Sequence, residues 1–168
     1  MDADKLYVFV EGSYDELFFN WYFKARCIKV IQYAAMEKPV LKGIVTTLFQ
    51  QNKQLLFFKD SDGKSIEDRM SDVQAKYPFI NDINVVFIVK HEIESWYFAG
   101  ISREKARELK FSSYYEDTNT LTKEKFSNIQ PEKLSTYIII SKMLENFDLQ
   151  LAIERNLSLR NFTARHNR

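Results

Sequence analysis

Cysteine, glycine and proline are scarce in this 168-residue chain. The single cysteine, Cys27, excludes an intrachain disulfide and a cysteine-rich zinc site. Four glycines and three prolines leave little room for linkers. The net charge of +1 provides no overall attraction to nucleic acid, so any such contact requires a local patch. Because the sequence has neither a signal peptide nor a long apolar run, we expect a cytoplasmic protein without a membrane partner.

Short apolar runs separated by helical patterns dominate the first hundred residues. The predicted strands are Leu6–Val10, Cys27–Tyr33, a strand that includes Leu55–Phe58, and Val85–Val89. Predicted helices follow the first three strands and begin near Ser13, Pro39 and Ser65. This alternation predicts an α/β fold with a four-stranded parallel sheet and helices on both faces. Placing Glu11, after the first strand, beside Asp60, after the third, gives the predicted strand order 2-1-3-4.

The sequence changes character after Gly100, where polar loops and short helical patterns replace the strands. We predict a helix from Pro131 to Phe147 and a last helix capped by Ser158. The expectation is a single domain, 1–168, with an α/β core in 1–100 and a helical extension in 101–168. Positive charge collects at the end of this extension, which is more often a solvated terminal helix than a binding surface. These basic residues are Arg155, Arg160, Arg165 and Arg168.

Acidic residues follow three of the predicted strands. Glu11 follows the first strand, Asp60 and Asp62 follow the third, and Glu92 and Glu94 follow the fourth. The carboxyl ends of parallel strands meet at one edge of a sheet, so these side chains are expected to converge. Such close acids, with few cations nearby, need raised pKa values or a bound cation, and carboxylates favour Mg²⁺ or Mn²⁺.

Each of these acids also has an ordinary structural interpretation. Asp60–Gly63 is consistent with a strand-to-helix turn that carries solvated acids. Asp15 and Glu94 are typical of acids in the first turn of a helix. Ser13 and Glu16 have the spacing of a capping box, and Lys59 is expected only to offset local charge.

Two motifs carry a resemblance to a known family. Val10-Glu11-Gly12-Ser13-Tyr14-Asp15, followed at the end of a later hydrophobic strand by Asp60-Ser61-Asp62, resembles the Toprim domain. The segments Glu92–Trp96 and Ser158–Phe162 are similar to the OLD-type nuclease branch of that family and its small stand-alone relatives.

The resemblance implies a Rossmann-like sheet and a Mg²⁺- or Mn²⁺-dependent endonuclease that acts on DNA, in phage defence or DNA repair. It assigns catalysis and metal binding to Glu11, Asp60 and Asp62, further metal ligands to Asp15, Glu92 and Glu94, and a functional lysine to Lys142. Arg160 and Arg165 are expected to contact the DNA backbone. No Walker-type loop is present, so an ATPase partner would be a separate chain; a homodimer is left open.

Two other functions remain open at this point. Asp60 and Asp62 also fit a haloacid-dehalogenase-type phosphatase, in which Asp60 is phosphorylated and Asp62 acts as acid and base. That motif, however, normally lies at the start of its domain, whereas here a strand that ends in Glu-Gly comes first. The other function is a non-catalytic Toprim-like module that binds nucleic acid or a partner ATPase.

Overall fold

The computed structural model of the protein describes residues 5–166. It contains a four-stranded parallel sheet in the order β2-β1-β3-β4, as predicted. The strands are β1 Leu6–Val10, β2 Ile28–Gln32, β3 Gln54–Asp60 and β4 Val86–Val89. Strand β1 therefore lies in the interior of the sheet, where it pairs with both β2 and β3.

The chain divides into two compact units, one up to residue 88 and one from residue 89 onward. The boundary expected near residue 100 falls inside the second unit. This is because the short helix α4, Glu94–Ala99, packs on helices that come later in the chain. Within residues 5–166, no helix is long and apolar enough to cross a bilayer.

Three helices cover the sheet of the first unit: α1 Ser13–Tyr22, α2 Lys38–Gln50 and α3 Ile66–Lys76. Successive residues of β3 point to opposite faces of the sheet, and both faces are apolar. Phe57 stacks on Phe9 with ring centroids 5.8 Å apart, in the core shared with α2 and α3. Phe58 meets Phe19 of α1 edge-on at 4.5 Å. The sheet therefore carries helices on both faces.

The second unit is helical after the last residue of β4. Its remaining helices are α5 Arg103–Glu108, α6 Lys123–Ile129, α7 Thr136–Glu145, α8 Leu149–Arg155 and α9 Leu157–Arg165. Trp96 of α4 is fully buried, and its indole N–H donates a 2.8 Å hydrogen bond to the Ser158 hydroxyl. The predicted helical extension is therefore a packed unit with its own aromatic core.

Two helix starts differ from the prediction because other side chains cap them. The helix expected from Pro131 begins at Thr136, where the Ser135 hydroxyl accepts the Ile138 N–H. The last helix is capped by Asn156, whose side-chain amide oxygen accepts the Leu159 N–H at 3.0 Å. Ser158, the predicted cap, bonds the Trp96 indole instead.

Two glycines provide a test of this packing. An alanine methyl group at Gly100 would overlap the Phe147 ring, whereas one at Gly43, inside α2, would meet nothing within 4 Å. We expect Gly100→Ala to lower the free energy of unfolding by about 1–3 kcal/mol through overpacking. Gly43→Ala should raise it by about 1 kcal/mol through helix propensity.

Urea denaturation of both variants, followed by circular dichroism, measures these changes. If Gly100→Ala were as stable as the unsubstituted protein, the placement of Phe147 over Gly100 would be wrong.

Candidate functional site

The ends of β1 and β3 bring Glu11 beside Lys59. Phe9 lies opposite Phe57 at the end of the parallel register, and Glu11 and Lys59 each come two residues later. The Lys59 ammonium is 2.6 Å from one oxygen of the Glu11 carboxylate and 2.8 Å from the other. The Asp60 backbone N–H donates to the same carboxylate at 3.0 Å. The structure therefore brings Glu11 to the start of the Asp60–Asp62 segment.

The turn after β3 directs Asp62 back toward this pair. Asp62 and Gly63 both have left-handed backbone angles, with φ of 47° and 78°, and the Lys64 N–H donates to the Ser61 carbonyl at 3.0 Å. Asp and Gly tolerate these angles, which explains the Asp-Gly pair at this point. One Asp62 oxygen lies 3.3 Å from the Lys59 ammonium. Lys59 thus bridges Glu11 and Asp62.

Arg69 of α3 holds the turn from the other side. Its guanidinium donates two hydrogen bonds, 3.2 and 3.0 Å long, to the Ser61 carbonyl and also pairs with Asp62. A further nitrogen lies 3.5 Å from Asp72. Only 12% of the Arg69 side chain is exposed. Its hydrogen bonds to the Ser61 carbonyl and its ion pair with Asp62 therefore stabilise the turn geometry.

The acidic site therefore contains two cations, which the sequence interpretation underestimated. The sequence predicted few cations near these acids, and Lys59 was expected only to offset local charge. Burial lowers the pKa of Lys59, but the hydrogen bonds and charges of Glu11 and Asp62 outweigh it, so that pKa is raised overall. Lys59 is consequently an ammonium at neutral pH and neutralises the carboxylates that it contacts.

Asp15 has a structural role at the start of α1. Its carboxylate accepts the Gly12 N–H at 2.9 Å, and the residue is 6% exposed. Gly12, not Ser13, is the N-cap residue of the helix, so the predicted Ser13 and Glu16 capping box is wrong. Because glycine has no side chain, only the Asp15 half of a box is formed. Asp15 closes the tight link between β1 and α1, the role that first-turn acids commonly have.

Tyr33 is a site residue that the sequence interpretation missed. Its hydroxyl donates to the Phe58 carbonyl at 3.0 Å, and the residue is 2% exposed. Burial, together with the charges of Glu11, Asp15 and Asp60, raises the pKa of Tyr33. The phenol therefore remains neutral beside the acids. Only the aromatic core pattern of the sequence pointed to this residue, and that pattern carries no information about the acids.

Glu92 and Glu94 begin the second unit, and their environments differ. One Glu92 oxygen accepts the Lys123 N–H at 3.0 Å, where α6 begins, an arrangement that the helix dipole favours. Glu94 is 3% exposed, and burial raises the pKa of its carboxyl group. Glu92 thus supports a helix, whereas Glu94 is a buried acid in the first turn of α4.

The predicted DNA-contacting residues also lie in the second unit. Lys142 is exposed on α7 and lines a pocket of about 530 Å³ together with Lys110 and Lys133. Arg165 is exposed in the last turn of α9. The Arg160 guanidinium donates to the carbonyls of Ile153 and Glu154 at 2.8 and 2.9 Å, at the end of α8. Lys142 therefore has lysine neighbours, while Arg160 is engaged with its own chain.

Arg155, noted in the sequence as part of the basic tail, is a buried structural residue. The side chain is 8% exposed and stacks on Tyr114, with the guanidinium carbon 4.6 Å from the ring centroid. Its guanidinium donates to five backbone carbonyls: Phe98, Ala99, Ile101, Tyr115 and Glu116. It organises the second unit and is not a surface charge. Arg168 lies outside the described residues.

The first-unit site has the donor atoms of a hard-cation site but not their convergence. Glu11, Asp60 and Asp62 provide carboxylate oxygens, the ligands that Mg²⁺ and Mn²⁺ take. Across residues 5–166, however, no three acid, histidine or cysteine side chains lie close enough together to hold a metal. The cation that Glu11 and Asp62 share in this structure is the Lys59 ammonium.

Comparisons of the chain with protein-family models, curated proteins and solved structures find no match.

The buried Glu94 carboxyl group yields a pH prediction. Because its pKa is raised in the folded state, its contribution to stability is present at acidic pH and is lost as the pH rises through the folded pKa. Glu94→Gln, which stays neutral, should therefore gain thermal stability relative to the unsubstituted protein as the pH rises above the ordinary glutamate pKa of about 4.3. The exposed Glu145→Gln serves as the control. A melting-temperature difference that did not change with pH would contradict the prediction.

Proposed function

We propose that this protein is a Mg²⁺- or Mn²⁺-dependent endonuclease that hydrolyses phosphodiester bonds in DNA. The observation that supports the proposal is that Glu11 and Asp62, from two different strand ends, meet at one cation position. Asp60 lies at the same edge, with its N–H on Glu11. In open α/β sheets this edge is where ligands bind.

Glu11, Asp60 and Asp62 are the residues that would hold the metal. When bound, the ion neutralises charge on the phosphate and lowers the pKa of the attacking water. Glu11 would accept a proton from that water, provided that it is not itself a ligand. In this hypothesis Asp15 and Tyr33 support the site, since one closes the β1–α1 link and the other bonds the β3 backbone.

Lys59 and Arg69 add positive charge beside the acids. Ammonium and guanidinium groups both bind phosphate oxygens, Arg through two parallel bonds. Positioning and charge neutralisation are the main requirements of phosphoryl transfer. The two cations would therefore help to orient the phosphodiester while water attacks phosphorus and the bond to the leaving oxygen breaks.

The DNA backbone would be held by exposed basic residues of the second unit. Lys110, Lys133 and Lys142 share one pocket with two acids, Glu108 and Glu132, so that three lysines face two carboxylates there. Three such lysines provide sequence-independent affinity for phosphates. Arg165 remains a candidate for the same role, and so does Arg160 through any donor not used on its own carbonyls. A separate ATPase, in phage defence or repair, is the partner that the Toprim resemblance implies.

One observation favours a different function, a non-catalytic module that binds nucleic acid or a partner ATPase. Lys59 and Arg69 already neutralise the carboxylates of Glu11 and Asp62, so the acidic site is electrostatically satisfied without a divalent ion. A module that never bound metal would need such pairs. Activity with and without metal distinguishes the two functions.

Cleavage of supercoiled plasmid tests the proposal. We expect nicking in Mg²⁺ or Mn²⁺ and none in EDTA. Glu11→Gln, Asp60→Asn and Asp62→Asn should each lower the rate by at least about 100-fold, because each removes a metal-holding or proton-accepting group. The matched control is Glu67→Gln, an exposed acid on α3, which should leave the rate unchanged.

If no metal supported cleavage, with or without an ATPase partner, the binding-module function would replace the nuclease. If cleavage survived all three substitutions, the acidic site would not be the active site.

DNA affinity tests the lysine pocket separately from cleavage. Replacing Lys110, Lys133 and Lys142 together by glutamine should weaken binding to duplex DNA uniformly across sequences. The slope of log affinity against log salt should become shallower by about 2–3. Fluorescence anisotropy in EDTA measures both quantities without cleavage. An unchanged slope would place the DNA-binding surface elsewhere.

A further inference from the structure

We propose that the start of α7 binds an unpaired DNA strand, with a base stacked on Tyr137 and neighbouring phosphates held by the lysine pocket of Lys110, Lys133 and Lys142. The inference rests on the proposed function in one respect, since it takes DNA as the ligand. It goes further by naming the single strand as the form of DNA that this surface recognises and Tyr137 as the residue that recognises it.

Tyr137 is exposed in a chain that otherwise covers its aromatic side chains. The sequence contains 14 Phe, 9 Tyr and 2 Trp. Within residues 5–166, Tyr137 is the only one of these that is exposed, and the others are buried or half-buried. Its exposed fraction is 50%. Because aromatic rings gain much free energy from burial, a single ring left outside the core points to a partner that covers it.

Ile138 extends this exposed surface toward the lysine pocket. Its side chain is 43% exposed, and it lies one helical turn before Lys142 on the same side of α7. Lys133 and Leu134, which also line the pocket, precede Tyr137 by only four and three residues. The exposed ring and the lysines therefore belong to one adjoining stretch of surface, which distinguishes Tyr137 from an isolated exposed apolar residue.

The lysine pocket supplies only part of the affinity that a DNA strand requires. Its three lysines face the carboxylates of Glu108 and Glu132, so three positive and two negative charges line it among the described residues. Affinity for phosphates grows with the number of phosphates that are neutralised, so such a pocket needs a second source of affinity. Stacking on an aromatic side chain provides one, since loss of such a side chain weakens binding about 5- to 150-fold per base.

The requirement for an open base face selects a single strand. In a duplex each base is stacked between its neighbours, so a protein ring can stack on a base only when that base is unpaired or flipped out. Lysines, by contrast, contact phosphates in either form of DNA. Tyr137 should therefore contribute to single-strand binding and not to duplex binding, whereas the lysines should contribute to both.

Fluorescence anisotropy in EDTA compares Tyr137→Ala with the unsubstituted protein on two ligands. One is a labelled single strand without self-complementary sequence, and the other is the same strand annealed to its complement. We expect Tyr137→Ala to weaken single-strand binding at least about fivefold and to leave duplex binding unchanged. The slope of log affinity against log salt should also stay the same, because no charge has been removed. Tyr137→Phe, which keeps the ring, should bind the single strand as the unsubstituted protein does.

Two matched controls accompany this comparison. Leu157 is 51% exposed on α9 of the same unit and carries neither a ring nor a charge, so Leu157→Ala should leave both affinities unchanged. A strand of the same length built from abasic sites keeps the phosphates and lacks the bases. The unsubstituted protein and Tyr137→Ala should therefore bind the abasic strand equally. Thermal melts of each variant verify that the fold is intact, as expected for exposed positions.

Equal single-strand affinity of Tyr137→Ala and the unsubstituted protein would overturn the inference, leaving the nuclease proposal intact and Tyr137 to a protein partner. An equally large loss on the duplex or on the abasic strand would also overturn it, since the ring would then not act on an unpaired base. If the unsubstituted protein bound neither DNA ligand, the inference would fall together with the DNA substrate of the proposed function. A loss confined to the intact single strand would support the inference even if no metal allowed plasmid cleavage.

Discussion

The parallel register of β1 and β3 determines what the candidate site is. Phe9 and Phe57 stack as a register pair in the core, and Glu11 and Lys59, two residues further along each chain segment, meet through their side chains. A slip by one residue would move Lys59 to the other face and leave Glu11 without this partner. The chemistry at the edge of the sheet is therefore set by an aromatic contact inside it.

Charge is the second constraint, since partly buried carboxylates require a partner. The chain satisfies this requirement with groups of its own. Lys59 pairs with Glu11 and Arg69 pairs with Asp62. Backbone N–H groups donate to Asp15 and Glu92. Glu11, Asp62, Asp15 and Glu92, four of the acids predicted from the sequence as metal ligands, are therefore each paired within the chain.

Much of the first unit was predictable from the sequence because β1 and β3 are built on continuous apolar runs and each is followed by an acidic turn. Parallel topology then dictates that Glu11 and Asp60 lie at one edge. The partners of the acids were not predictable by this logic, because a lysine before Asp60 and an arginine on the following helix have no distinctive spacing. In the second unit, Asn156 competed with Ser158 as a cap, and Arg155 was buried because its guanidinium meets backbone carbonyls from distant loops. Such long-range hydrogen bonds leave no local pattern.

Lys59 and Arg69 are compatible with both of the functions that remain. In a nuclease they would add positive charge beside the phosphodiester. In a binding module they keep Glu11 and Asp62 paired without a divalent ion. Because the same ion pairs serve either function, metal-dependent cleavage, and not the identity of the acids, separates the two.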